Sequence, residues 1–480
     1  MPWRLSLFLL ILSSALQAAP PGFENIFPAG GQIGTQVDVQ VAGAGLDKPA
    51  AKAWINTPGI LATASDQPKK FALAISKDAV AGPYLIRFFT DAGVTAPRIF
   101  EVGNKAERIE KEPNDSLSDA KIAEAGMDIT LNGVLGKSGD VDTHPIRVRK
   151  DKPIHATLHG YALGSPMDPA LRLLDENGLE VAASHDTQNL DPIIHYNSKA
   201  DGLFFLQVFA FAHPPAADVA FQGSANHVYR LTVTEEPPKR LALSEPKELI
   251  IPALFNGCIA KPREEDVFHF ITKKDDDLQV TIRAQAIDSP LDVTMRLEDA
   301  DGKILKQADD TEKERQDPDM HWKSPKDGTY KLVIADRFRH GSSDHLYELS
   351  IKTFIPSLTA TLDTHAYQLE PGKTADLKIN VKTSGSFTGK IQARAVKLPA
   401  GVTSAGIDVP AKGGEVKLTL SATPDATPSQ APFAVELTTS LPDAAKTTLA
   451  IYSIPFTEPR GDLLIMTDTQ PWLTVMAKKK

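Results

Sequence analysis

The chain is nearly without cysteine. Cys258 is the only one in 480 residues, so no disulfide can form within the chain, and its domains must be held by burial alone. Cys258 lies far from the N-terminus and cannot carry a lipid anchor there. It aligns with an apolar strand residue, Val134, and a buried, inert thiol is the expectation. Aromatic platforms are few: beyond the leader only Trp54, Trp322 and Trp472 remain, which speaks against a carbohydrate-binding face. Positive charge is in deficit. The 52 Lys and Arg against 61 Asp and Glu give −9, with both signs interspersed, and this excludes the basic face of a nucleic-acid binder. Catalytic signatures are missing as well: there is no Gly-x-Ser-x-Gly elbow, His-Glu-x-x-His, phosphate loop or signature-bearing cysteine nucleophile. A dispersed Ser-His-Asp set stays open, because triads are defined in space. The 12 histidines read chiefly as members of solvated strand faces.

At the N-terminus, Arg4 precedes a largely apolar run from Leu5 to Leu12 and a small-residue exit ending at Ala18. That pattern predicts a secretory leader over 1–18. The run is too short to span a bilayer, and no later one approaches that length. The expected localisation is export to the periplasm, cell surface or medium, with no transmembrane segment after cleavage.

The strongest internal signal is a duplication. Asn132-Gly133 returns as Asn256-Gly257, Asp142 as Asp266, Asp168 as Asp292, Leu173 as Leu297, Gly178 as Gly302 and Asp186 as Asp310, always at an offset of 124 (256 − 132 = 124; 310 − 186 = 124). Asp201-Gly202 returns as Asp327-Gly328, and His227-x-Tyr229-x-Leu231 as His345-x-Tyr347-x-Leu349. The unit is domain-sized, so this is a tandem pair of globular modules. The paired histidines read as shared architecture.

Four modules are expected in all: an immunoglobulin-like domain over 20–104, repeats over 108–236 and 240–353, a second immunoglobulin-like domain over 354–456, and a tail over 457–480 too short to be a domain. The alternation of Val37, Val39 and Val41 with polar neighbours, and of Ala375, Leu377, Ile379 and Val381 likewise, marks half-buried strands. Residues 104–118 read as a charged linker. Short strands with no helical periodicity predict an all-β chain of tandem β-sandwich or jelly-roll domains.

The segments Phe27-Pro28-Ala29-Gly30-Gly31, Gly43-Ala44-Gly45-Leu46 and Gly82-x-Tyr84 resemble the IPT/TIG immunoglobulin-like domains. Glu112-Pro113-Asn114-Asp115-Ser116, Gly133-Val134-Leu135, Gly139-Asp140-Val141-Asp142, the Asp175–Gly178 hairpin and Asp201-Gly202-Leu203-Phe204 look like the bacterial pre-peptidase C-terminal domain. The second copy keeps Gly257, Asp266-Val267-Phe268, the Asp299–Gly302 hairpin and Asp327-Gly328-Thr329-Tyr330. The likeness implies a β jelly roll, similar to the collagen-binding modules of secreted collagenases and appended to secreted proteins.

One constellation carries chemistry. Glu110, Glu112, Asn114 and Asp115 crowd one extended segment, so several oxygens can converge. Asp140 and Asp142 stand two apart at the start of a strand and face the same side. Hard oxygen donors in this number suit Ca²⁺, while a solvated acidic linker is the plain alternative. In collagenase-type modules, the resemblance implies, such a lead-in and aspartate pair bind calcium. The second copy reads Glu245-Pro246-Lys247-Glu248, with lysine in place of the asparagine, and no metal is expected there.

The last apolar strand of each repeat adds a contrast. Phe205, Phe209 and Phe211 stand where the second copy has Lys331, Ala335 and Arg337. Aromatics on both faces predict either an interface or a cover by the segment 213–226. The resulting picture is an exported, non-enzymatic binding, adhesion or spacer protein whose protein or polysaccharide ligand is unspecified. The alternative is a secreted hydrolase, or an accessory substrate-binding subunit of one.

Overall fold

The computed structural model describes residues 19–47, 51–122, 124–187, 190–212, 220–236, 243–244, 248–287, 289–309, 317–385, 390–440, 445–455 and 465–478. The expected leader over 1–18 and the second copy's Glu245-Pro246-Lys247 fall outside these residues. Among those described, no helix is long and apolar enough to cross a membrane. The protein is all-β, built as tandem sandwiches.

The N-terminal module pairs a four-stranded sheet with a five-stranded one, from Asn25–Phe27 to Arg98–Gly103. In the strand Gln36–Ala42 the side chains alternate, and Val39 and Val41 are buried, as a period of two requires.

The first repeat is a sandwich of a five-stranded and a four-stranded sheet. In spatial order the larger holds Ala106–Ile109, Ile129–Val134, Val228–Thr234, Pro153–His159 and Ile193–Asn197. The smaller holds Asp142–Val148, Gly202–Ala212, Met167–Leu174 and Glu180–Ser184. The second repeat uses the equivalent strands in the same order, with one change. The first repeat's lead-in strand, Ala106–Ile109, pairs in parallel with Ile129–Val134. In the second, Glu248–Leu249 pairs in parallel with Glu265–Thr272, which belongs to the other sheet. The expected linker over 104–118 is therefore corrected: Ala106–Ile109 within it is a sheet strand, because its backbone continues the ladder beside Ile129 to Asn132.

The repeated polar residues are turn devices. Asp191 accepts bonds from the N–H groups of Gly160, Tyr161 and Ala162, and Asp317 does the same for Ala284, Gln285 and Ala286. Ser224 Oγ lies 2.8 Å from His227 Nδ1, and Ser342 Oγ lies 2.8 Å from His345 Nδ1. The Asn-Gly pair has a packing cause. Gly133 faces Tyr229 across the ladder and Gly257 faces Tyr347, and a Cβ on either glycine would collide with the tyrosine ring. Cys258 follows that crossing. It is half-buried, less enclosed than expected, and its thiol donates to the Ser342 carbonyl at 3.3 Å.

The first repeat is docked on the N-terminal module by a buried ionic network. The Arg230 guanidinium donates to Glu107 (2.8 and 2.9 Å) and to Asn132 Oδ1 (3.0 Å), and its Nε lies 3.5 Å from Glu101. Glu101 also holds His159 Nδ1 at 2.9 Å. Gly30 makes room for the guanidinium, which a Cβ there would strike.

The C-terminal region corrects the expected tail. Trp472–Val475 pairs in parallel with Ala366–Leu369 and antiparallel with Ser429–Pro432, and Ile465–Asp468 pairs with Tyr452–Pro455. The tail is thus part of the last domain's sheets, and Trp472 and Leu473 are core residues. This region also packs against the N-terminal module. Trp472 meets Trp54 at 5.9 Å and Phe89 at 4.9 Å between ring centroids. Arg87, fully buried, donates to the carbonyls of His365 and Gln470 and to the Tyr452 hydroxyl, and lies 3.7 Å from Asp468. A buried cation is tolerated here because acceptors and the Trp54 and Tyr452 ring faces surround it.

The aromatic face of Gly202–Ala212 is covered by its own chain. Phe205 is fully buried with Leu174 and with Ala120 of the short helix Leu117–Ile122. Phe221 folds back to 4.6 Å from Phe209 and 5.6 Å from Phe211 between ring centroids. Of the two expected alternatives this favours the cover: Phe205 and Phe209 are buried and Phe211 is half-buried.

Candidate metal centre

The acidic lead-in docks onto the strand Asp142–Val148 through a main-chain bond from Thr143 N to Asn114 O, 2.9 Å. That docking carries Glu110, Glu112 and Asn114 to the start of the strand, beside Asp140 and Asp142. Two groups of ligating atoms result, each within 4.8 Å: Glu112 with Asp140 and Asp142, and Glu110 with Asp142 and His144.

The two groups differ in what already satisfies them. The Tyr229 hydroxyl sits amid the second, 2.9 Å from Glu110 Oε2, 2.7 Å from Asp142 Oδ2 and 2.7 Å from His144 Nε2. Glu110 Oε1 accepts from Val134 N at 2.5 Å. Burial holds His144 down to about 4, so its ring is neutral and can donate to the tyrosine oxygen. That group is closed by hydrogen bonds.

The first group is not closed. Asn114 Oδ1, Asp140 Oδ1 and Asp142 Oδ1 are buried without a hydrogen-bond partner; Lys137 Nζ stands 3.4 Å from Asp140 Oδ1. Leaving a buried acceptor unsatisfied costs about 1–3 kcal/mol each, and more for a charged one. The electrostatics are equally unbalanced. Burial, and then the neighbouring Glu110, push Asp142 up to about 10, and burial raises Glu110 as well. Two carboxylates this close cannot both ionise without added positive charge. A cation bound by Asn114 Oδ1, Asp140 Oδ1, Asp142 Oδ1 and Glu112 would satisfy the orphaned oxygens and restore both charges. The donor set is all oxygen, and it fits Ca²⁺.

Of the residues singled out by sequence, the structure brings together Glu110, Glu112, Asn114, Asp140 and Asp142. Asp115 lies at the exposed rim, where its carboxylate pairs with Lys137 at 3.0 Å. Sequence reasoning missed His144 and Tyr229. A signal was present for each: Asp140, Asp142 and His144 follow one another at a spacing of two, which puts them on one face, and Tyr229 recurs as Tyr347. In the second copy Tyr347 donates to Asp266 at 2.5 Å. There Phe268 replaces His144 and packs on Phe255 at 4.6 Å. Among the described residues no group of three ligating side chains forms in that copy.

No family model matches the chain. Over 98 residues it is 34% identical to a protein of Deinococcus radiodurans described as a probable subtilase-type serine protease. That stretch is 20% of this chain and 14% of the relative, so the chain spans about a seventh of the curated protein it matches. Among solved structures it is similar to the pre-peptidase C-terminal domain of a Bacillus anthracis collagenase, with 15% identity and a TM-score of 0.19, over 24% of this chain and 100% of that one. It is also similar to the four N-terminal immunoglobulin domains of Dscam1, with 11% identity and a TM-score of 0.14, over 90% of this chain and 98% of that one.

Proposed function

We propose that the chain is an exported, non-catalytic binding module whose first repeat is a calcium-dependent jelly roll of the pre-peptidase C-terminal type. The observation that carries this is the set of three buried oxygens without hydrogen-bond partners, on Asn114, Asp140 and Asp142. Calcium held there fastens the lead-in from Glu110 to Asn114 against the strand Asp142–Val148, and so stiffens the junction with the N-terminal module, an IPT/TIG-like domain in this reading. The sandwiches then act as spacers or as an accessory surface beside an exported enzyme, with a protein or polysaccharide as ligand.

Calcium titrated into the chelator-treated full chain by isothermal calorimetry tests the site. Saturable heat is expected, lost in Asp140→Asn and kept in Asp115→Ala, since Asp115 is at the rim. No heat in the wild type refutes the site. The non-catalytic part is tested separately: peptidase or esterase activity in highly purified protein, abolished by one Ser or His substitution, would replace it with the hydrolase alternative.

A further inference from the structure

A second cluster of metal-ligating side chains lies in the first repeat, formed by different strands from those of the acidic centre. His155 on Pro153–His159 and His195 on Ile193–Asn197 are direct cross-strand partners. Residues directly opposite on an antiparallel pair project to the same side of the sheet, with Cβ atoms close enough for two rings to meet. Here the ring centroids are 4.2 Å apart, tilted by 34°, and the two Nδ1 atoms are 2.7 Å apart. The two nitrogens therefore face each other at a separation that one ion could bridge with a small ring adjustment. His195 is exposed and His155 half-buried, so solvent and ions reach the pair.

From this juxtaposition we infer that His155 and His195 form a two-imidazole site for a borderline divalent ion such as Zn²⁺, with water in the remaining positions. Imidazole nitrogen suits Zn²⁺, Cu²⁺ and Ni²⁺ and does not suit Ca²⁺. A ligating histidine needs its other nitrogen fixed as an N–H donor, and the structure supplies that partner for His155. Thr157 Oγ1 lies 3.2 Å from His155 Nε2. An Nε2–H donating to this hydroxyl leaves the Nδ1 lone pair directed at His195. Burial, and then His195, hold His155 down to about 4, so the ring is neutral at ordinary pH. In the metal-free pair His195 Nδ1 carries a proton and His155 Nδ1 accepts it. On binding, that proton moves to His195 Nε2 by tautomeric exchange, and both Nδ1 atoms become ligands with no net change of charge on the protein.

The second copy has discarded the arrangement. The equivalent cross-strand pair is Gln279 and His321. There His321 Nε2 is engaged by Asp277 at 2.5 Å, and its ring stacks on Phe354 at 3.7 Å. In the first copy the Nδ1 atoms of His155 and His195 face each other instead.

The test uses the full chain with Ca²⁺ in excess, so that carboxylate sites are filled, and Zn²⁺ as the probe in a calorimetric titration. One equivalent of Zn²⁺ is expected, absent in His155→Gln and in His195→Gln. Thr157→Val should weaken it by about tenfold, the usual loss on removing an orienting partner. Folding of each variant is checked by its melting profile. Because a variant could lose metal through local distortion, Cu²⁺ spectroscopy of the wild type gives a second reading: two nitrogen ligands are expected. No Zn²⁺ uptake, uptake surviving both histidine variants, or Cu²⁺ bound by oxygen alone would each overturn the site.

Discussion

Where the first repeat carries His144 beside Tyr229, the second carries Phe268 beside Phe255. Where the first buries Arg230 among Glu101, Glu107 and Asn132, the second has Glu348 in an exposed pair with Arg283, 2.6 Å apart. Where Phe205 is buried under the helix Leu117–Ile122, the second has Lys331 paired with Glu298 at 3.2 Å. Apart from the lead-in strand, the ladders are the same in both, as are the capping aspartates and the glycine–tyrosine crossings. One framework thus tolerates two surfaces. The first copy has turned its lead-in into a candidate ion site and a domain contact, and the second has kept polar pairs open to solvent.

The sharpest break in the comparison is at the aromatic strand. Phe205→Lys should destabilise the first repeat by about 4 kcal/mol, since it removes a filled core site and buries an unpaired charge. The mirror change, Lys331→Phe, should cost under about 1 kcal/mol because the position is half-buried and open to solvent. Denaturant unfolding of the two variants checks this, and equal costs would deny the asymmetry.

Next come the glycines, where the copies should behave alike. Gly133→Ala and Gly257→Ala each place a Cβ against a buried tyrosine ring. Each should cost about 2–3 kcal/mol through overpacking, read from denaturant midpoints. In the first copy the methyl would also lie 2.6 Å from Glu110 Oε2, so Gly133→Ala should additionally disturb calcium binding.

A smaller contrast is in pH. Burial alone would lower His159, but Glu101 outweighs it and holds the imidazole up to about 9. Burial alone would raise Glu101, but His159 and Arg230 outweigh it and hold it down to about 2. A raised histidine contributes stability fully present below its ordinary 6.5 and lost as pH rises through about 9. A depressed carboxylate contributes stability present above its ordinary 4.5 and lost as pH falls through about 2. Docking of the first repeat on the N-terminal module should therefore be strongest between 4.5 and 6.5. Melting temperature against pH should show the alkaline decline, and His159→Gln should remove it. The second copy has Arg283 at this place and no such limb.

The smallest effect is expected at that exposed pair: Arg283→Ala should change stability by no more than about 0.5 kcal/mol. A larger loss would mean that the second copy's contact is structural after all.

Features that repeat or alternate locally were legible in the sequence. The offset of 124 exposed the paired modules, and strand alternation marked the faces around Val39 and Leu377. The lead-in and Asp140–Asp142 were legible because oxygens crowd there at spacings that converge. The tail was not, since Trp472–Val475 finds its partners at Ala366–Leu369 and Ser429–Pro432, far away in the chain and without a local pattern. The recurrence of Tyr229 as Tyr347 was visible, but not its role, since its partners Glu110 and Asp142 lie 119 and 87 residues away. The cover over Phe205 depended on a helix of 6 residues, too short to leave a periodic trace.

The most direct measurement is differential scanning calorimetry of the full chain, with Ca²⁺ and with chelator, on wild type, Asp142→Asn and Asp266→Asn. Calcium at a hundredfold excess over Kd should stabilise the wild-type first repeat by about 2.7 kcal/mol. Asp142→Asn should lose that shift and melt no lower than wild type in chelator, because without a cation Asp142 is already held as the neutral acid, which the amide replaces. Asp266→Asn should keep the shift and lose about 1 kcal/mol through its weakened bond to Tyr347. A wild-type profile unmoved by Ca²⁺, or an Asp142→Asn profile that shifts as the wild type does, would contradict a calcium-dependent first repeat.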